Sequence, residues 1–79
     1  MKMKELWLPP PMLDLEGNSF VRIENYNGII EFTDHCLILK ANQMRYELQG
    51  EKLRIKGVTK REIFVEGEIV GLRIVKEEV

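Results

Sequence analysis

His35 and Cys36 are adjacent, and an imidazole beside a thiol is the pairing that activates a cysteine nucleophile. Their setting argues against that use. On a strand, neighbouring side chains point to opposite faces and cannot share a proton. In a turn they could meet, but the sequence marks no Asn or Asp as the group that would orient the imidazole, so Cys36 reads as a small residue at the edge of a core. One histidine and one cysteine cannot supply a four-ligand zinc site, and no Asp-x-Asp run suggests calcium. Glu62, Glu66 and Glu68 are close in sequence, but a solvated face explains them better than a gathered carboxylate site. The lone serine, Ser19, has no GxSxG setting, and no phosphate-binding loop is present. The residues therefore predict no catalytic group, no metal site and no cofactor.

Two other groups could carry recognition. Arg22, Arg45, Arg54 and Arg73 share the outward parity of four candidate strands, and a row of arginines beside aromatics would suit RNA or single-stranded DNA on a small β-barrel. Tyr26, Tyr46 and Phe64 lie in different segments, however, and cross-strand pairing of the arginines with Glu24, Glu31, Glu47 and Glu66 is the expected arrangement. The second group is Trp7 with Leu6, Leu8 and Pro9 to Pro11. Trp is a favoured anchor at protein interfaces, so this run reads as an arm that docks a partner, or equally as a cap folded back on the β-core. Trp7, Leu8, Pro10, Leu13, Leu15 and Tyr26 are the candidate partner-binding residues.

Charge weighs further against nucleic acid. Twelve Lys and Arg are interleaved with thirteen Asp and Glu, for a net charge of −1, with no basic stripe to neutralise phosphates. The same balance excludes a polybasic membrane patch. A single cysteine forbids an internal disulfide, and the apolar stretch Leu6-Trp7-Leu8 is too short for a signal peptide or a membrane span. These features imply a cytoplasmic protein.

The elements that position these residues alternate with a period of two. Val21-Arg22-Ile23-Glu24, Ile30-Glu31-Phe32-Thr33, Leu39-Lys40-Ala41-Asn42 and Met44-Arg45-Tyr46-Glu47-Leu48 all do so. Leu53-Arg54-Ile55-Lys56, Ile63-Phe64-Val65-Glu66 and Leu72-Arg73-Ile74 follow. That predicts about seven short, mostly antiparallel strands in one small all-β domain, with sandwich, β-roll and small barrel all open. The turn signals are Asn25-Tyr26-Asn27-Gly28, a favoured hairpin sequence, then Asp34-His35, Asn42-Gln43, Gln49-Gly50-Glu51, Thr59-Lys60-Arg61 and Glu66-Gly67-Glu68. Gly57 and Gly71 sit in or beside strands and mark bulges or bends. A weak echo relates Gly50-Glu51-Lys52-Leu53-Arg54-Ile55 to the segment from Gly67 to Ile74, hinting at solenoid winding or at ordinary hairpin writing. Residues 1–19 read as an extended Pro-rich arm ending in a turn, residues 20–76 as the β-domain and 77–79 as a frayed end.

A chain of 79 residues with no disulfide has little core to spare. Either the core is unusually well made or a partner covers part of the apolar surface. Pairing of exposed sheet edges into a homo-oligomer would meet that need.

The run Ile23-Glu24-Asn25-Tyr26-Asn27-Gly28-Ile29 resembles a segment of the YabP/YqfC family of sporulation proteins in endospore-forming Firmicutes. The likeness continues, in order, through Leu13-Asp14-Leu15, Ile30 to Asp34, Glu47-Leu48-Gln49-Gly50, Leu53 to Lys56 and Glu62 to Gly67. The family has no catalytic residues to carry over. The resemblance implies a non-enzymatic protein of the mother-cell cytoplasm, or of the periphery of the forespore-facing membrane, that works by protein contact. It implies a YqfD-type membrane sporulation protein as the partner.

Overall fold

The alternating runs form six strands in the computed structural model, which describes residues 11–76: β1 (Met12–Glu16), β2 (Phe20–Glu24), β3 (Gly28–Phe32), β4 (Cys36–Ala41), β5 (Met44–Val58) and β6 (Glu62–Lys76). All pairings are antiparallel, in one open sheet of order β1-β2-β6-β5-β4-β3. Among the described residues no helix is long and apolar enough to cross a membrane.

The strand count differs from the expected seven for two reasons. Met44–Leu48 and Leu53–Lys56 join into the 15-residue β5, and Ile63–Glu66 and Leu72–Ile74 into the 15-residue β6. Residues Met12–Glu16, read from sequence as part of the arm, instead form β1 and pair with β2 from Met12↔Glu24 to Glu16↔Phe20. The Pro-rich run ahead of Pro11 lies outside the described residues.

Gln49-Gly50-Glu51 and Glu66-Gly67-Glu68 have the composition of turns, but here they are where β5 and β6 cross and bulge. Register slips fall between Gln49 and Gly50, between Glu51 and Arg54, and between Ile55 and Gly57. The glycines serve close backbone approach rather than chain reversal. A Cβ on Gly50 would overlap the carbonyl oxygen of Glu68, and one on Gly67 (φ 146°) would lie 2.7 Å from the carbonyl oxygen of Lys52. Asn27-Gly28 is not a hairpin either. Both edges of β2 are taken, by β1 and β6, so β3 is carried to the far side of the sheet.

The crossing divides the sheet into two similar halves. One contains β1, β2, the start of β6 and the end of β5. The other contains β3, β4, the start of β5 and the end of β6. Each half is tied to the crossing by the loop before its inner strand. Gly67 and Ile69 donate N–H bonds to the carbonyls of Ser19 and Asn18, and Gly50 and Leu53 donate to those of His35 and Asp34. The echo around Gly50 and Gly67 thus marks an approximate internal two-fold and not a solenoid.

Each half presents two cross-strand rows of apolar side chains. The first half has Leu15–Val21–Val65–Ile55 and Leu13–Ile23–Ile63–Val58. The second has Phe32–Leu37–Leu48–Leu72 and Ile29–Leu39–Tyr46–Ile74. The middle residues of all four rows are buried in a single cluster with Leu53 and Ile69, so each half covers the other. Each such aliphatic side chain contributes about 1.5–3 kcal/mol of burial.

Candidate interaction surface

The ends of the same rows remain uncovered. Leu15, Ile29, Phe32, Val58, Leu72 and Ile74 are exposed, and Val70 beside them is 70% exposed. Among the described residues, the strands that carry them have an unpaired hydrogen-bonding edge. β1 and β3 are the ends of the sheet. Among the described residues the end of β5 has no second neighbour, because β4 pairs only with residues 44–49, and the end of β6 has none, because β2 pairs only with residues 62–66. Exposed edges carrying apolar side chains are templates for strand addition.

Of the residues singled out from sequence, Leu13 and Leu15 come together on β1, Leu13 packed against the core and Leu15 half exposed. Tyr26 lies in the β2–β3 link and packs on the core. Trp7, Leu8 and Pro10 lie outside the described residues. The row ends Leu72 and Ile74 were placed on a strand by their alternation, but alternation reports which side chains share a face and not how far the cover reaches.

The four arginines are occupied by carboxylates. Arg22 meets Asp14 at 2.6 Å, with Glu62 at 3.8 Å and Glu24 at 4.0 Å. Arg45 and Arg73 converge on Glu47 at 3.0 and 2.8 Å, and Arg54 and Lys56 hold Glu66. The expected cross-strand pairing holds for Glu47 with Arg73 and for Glu66 with Arg54, whereas Glu24 lies on the same strand as Arg22, whose cross-strand partners are Asp14 and Glu62, and Glu31 contacts the Cys36 thiol (3.9 Å). His35 stands between Asp34 (Nδ1 to Oδ1, 2.9 Å) and Glu51 (Nε2 to Oε1, 3.3 Å). The imidazole therefore does have an orienting Asp, its own chain neighbour, but the Cys36 thiol is directed to Glu31. Among the described residues no cluster of His, Cys, Asp and Glu could hold a metal ion.

These ion pairs make stability pH-dependent. The Arg73 hydrogen bond, with charge from Arg73 and Arg45, holds the Glu47 carboxyl below the usual glutamate range, and Arg54 does the same for Glu66. Both groups bind protons less readily folded than unfolded. Their contribution is complete above the unfolded pKa and is lost as pH falls through the lowered folded values. The melting temperature is expected to hold between pH 7 and about pH 5.5 and to drop below about pH 4.5. Combining Glu47→Gln with Glu66→Gln should flatten that acid slope, and an unchanged slope in thermal melts across pH would refute the assignment.

No solved structure matches the chain. Over 79 aligned residues it is 28% identical to the uncharacterized protein YqfC of Bacillus subtilis (strain 168), covering 92% of this chain and 85% of the relative. The YabP family model matches residues 9–79, nearly the whole chain, and the protein belongs to the YabP family.

Proposed function

We propose that this chain is a non-enzymatic, sporulation-associated module that acts through protein contact as an adaptor or structural element in spore formation. The observation that carries the reading is the set of free sheet edges whose apolar row ends stay exposed after the core is complete. Such edges give affinity through main-chain hydrogen bonds and specificity through alternate side chains. Family membership supports the sporulation setting. A YqfD-type membrane sporulation protein is the proposed partner, met in the mother-cell cytoplasm or at the periphery of the forespore-facing membrane.

Binding of RNA or single-stranded DNA has less support, because the arginines that would meet phosphates are held by carboxylates. The test is purification of the tagged full-length protein from sporulating cells beside a form lacking residues 1–11. Recovery of a YqfD-type protein with the full-length form is the expected result. Its loss on truncation would assign the contact to the arm, and its retention would assign it to the sheet. Recovery of nucleic acid, or of no sporulation protein, would overturn the proposal.

A further inference from the structure

The free edges are not equivalent. β3 carries a register slip between Ile29 and Glu31. The end of β5 carries Arg54 and Lys56 and slips between Ile55 and Gly57. β1 carries Asp14, ion-paired to Arg22, and Glu16, and it follows Pro11. Bulges, charges and proline are the usual guards against edge-to-edge pairing. The end of β6 has few of these. From Gly71 to Lys76 it pairs with β5 in unbroken register and contains no proline, its one slip lying just before, at Val70 between Ile69 and Gly71, and its inward face is Leu72 (42% exposed) and Ile74 (52% exposed). Of its two charged residues in that stretch, Arg73 is engaged by Glu47 of its own sheet and Lys76 is the last residue of the strand.

We infer that the β6 edge, residues 70–74, pairs antiparallel with the same edge of a second copy about a two-fold axis through Leu72. This deepens the protein-contact reading and rests on it. Register selects that axis. Centred on Leu72, the strand places Leu72 opposite Leu72 and the bulky Arg73 opposite Gly71, with Ile74 reaching Val70 at the start of the regular stretch, and the pairing stops short of Ile69. Centred on Arg73, two guanidinium groups would face each other. Centred on Ile74, Lys76 would face Leu72. Shifting the axis back to Gly71 would call on Ile69, whose N–H is already bonded to the Asn18 carbonyl at 2.7 Å. The Leu72 register also continues the row Phe32–Leu37–Leu48–Leu72 into its symmetric copy, so the half-sheet becomes an eight-stranded one with its apolar face unbroken. Closed two-fold contacts of this self-complementary kind are the commonest form of oligomer.

The full-length protein with Cys36→Ser and Leu72→Cys tests this directly. Antiparallel partners sit about 4.5–5.5 Å apart at Cα, within the span of a disulfide. Mild oxidation is expected to link the Leu72→Cys protein into a covalent dimer at least tenfold faster than an Ile74→Cys protein, whose two copies of the substituted position would lie roughly 13 Å apart. Sedimentation should show a concentration-dependent dimer for the unsubstituted chain and a monomer for Leu72→Lys. Equal linking rates, or a monomer at all concentrations, would overturn the inference. So would dimerisation only after removal of residues 1–10, which would make that segment the occupant of the edge. A monomer that still recovers the YqfD-type protein would sink the self-pairing alone, while a dimer that recovers no sporulation protein would sink the adaptor reading alone.

Discussion

Gly67→Ala is expected to abolish folding. At φ 146° the residue has a backbone geometry open to glycine and strained for any side chain. A Cβ there would lie 2.7 Å from the Lys52 carbonyl oxygen, 2.9 Å from the Leu53 Cα and 3.0 Å from the Glu51 carbonyl oxygen. These are backbone atoms of the opposing strand at the point where the two halves are joined, so they cannot move without shifting both. Conformational strain and overlap together are worth about 3–5 kcal/mol, most of the stability of a domain this size. Gly50→Ala should behave alike, since its Cβ would overlap the Glu68 carbonyl. Urea titration followed by far-ultraviolet circular dichroism measures the effect.

The other glycines provide a graded control. Gly17 has a positive φ of 57° but nothing within 4 Å of a Cβ, so Gly17→Ala should cost only about 1–2 kcal/mol of backbone strain. Gly28 has neither a positive φ nor a neighbour within 4 Å, and Gly28→Ala should stay within about 0.5 kcal/mol. If Gly67→Ala melts like Gly28→Ala, the crossing is not built as described.

The strands that make the core were legible because burial follows alternation. Val21 and Ile23, Ile63 and Val65, Leu37 and Leu39, and Tyr46 and Leu48 all lie on the inward face. The joining of the shorter runs into β5 and β6 was hidden by chemistry that turns and crossings share. Gly-Glu flanked by polar residues suits a tight turn, and glycine suits two backbones in contact equally well. The trace of the crossing is a slip of phase. Leu48 and Leu53 both face inward although the step between them is odd, as do Ile69 and Leu72, and two residues an odd step apart can share a face only across a bulge. β1 was obscured by its neighbours, because the proline run suggested an arm while Leu13 and Leu15 already alternated.

The candidate surface was less legible, for a geometric reason. Leu15 and Leu72 are written like Val21 and Leu48, and only the width of the opposing half decides which are covered. Tyr26 illustrates the converse. An aromatic in a polar link reads as a contact residue, yet it packs on the core.

That distinction sets the second large effect. Leu48 and Leu72 are adjacent in one row, 2% and 42% exposed. Leu48→Ala should leave a cavity among Leu37, Tyr46 and the facing half, costing about 2–5 kcal/mol. The loss should appear as a lower urea midpoint with little change in its slope. Leu72→Ala removes a side chain that the monomer covers only in part, so in dilute solution it should cost less than about 1 kcal/mol. The two variants should diverge further with concentration. If Leu72 is covered by a second copy, the unsubstituted chain gains stability as it is concentrated while Leu72→Ala does not, because association stabilises only a chain that can associate. Leu48→Ala keeps the edge intact and should retain the concentration dependence despite its lower stability. A Leu72→Ala penalty that is large and equal at all concentrations would place Leu72 within the folding core of the monomer and remove it from the interaction surface.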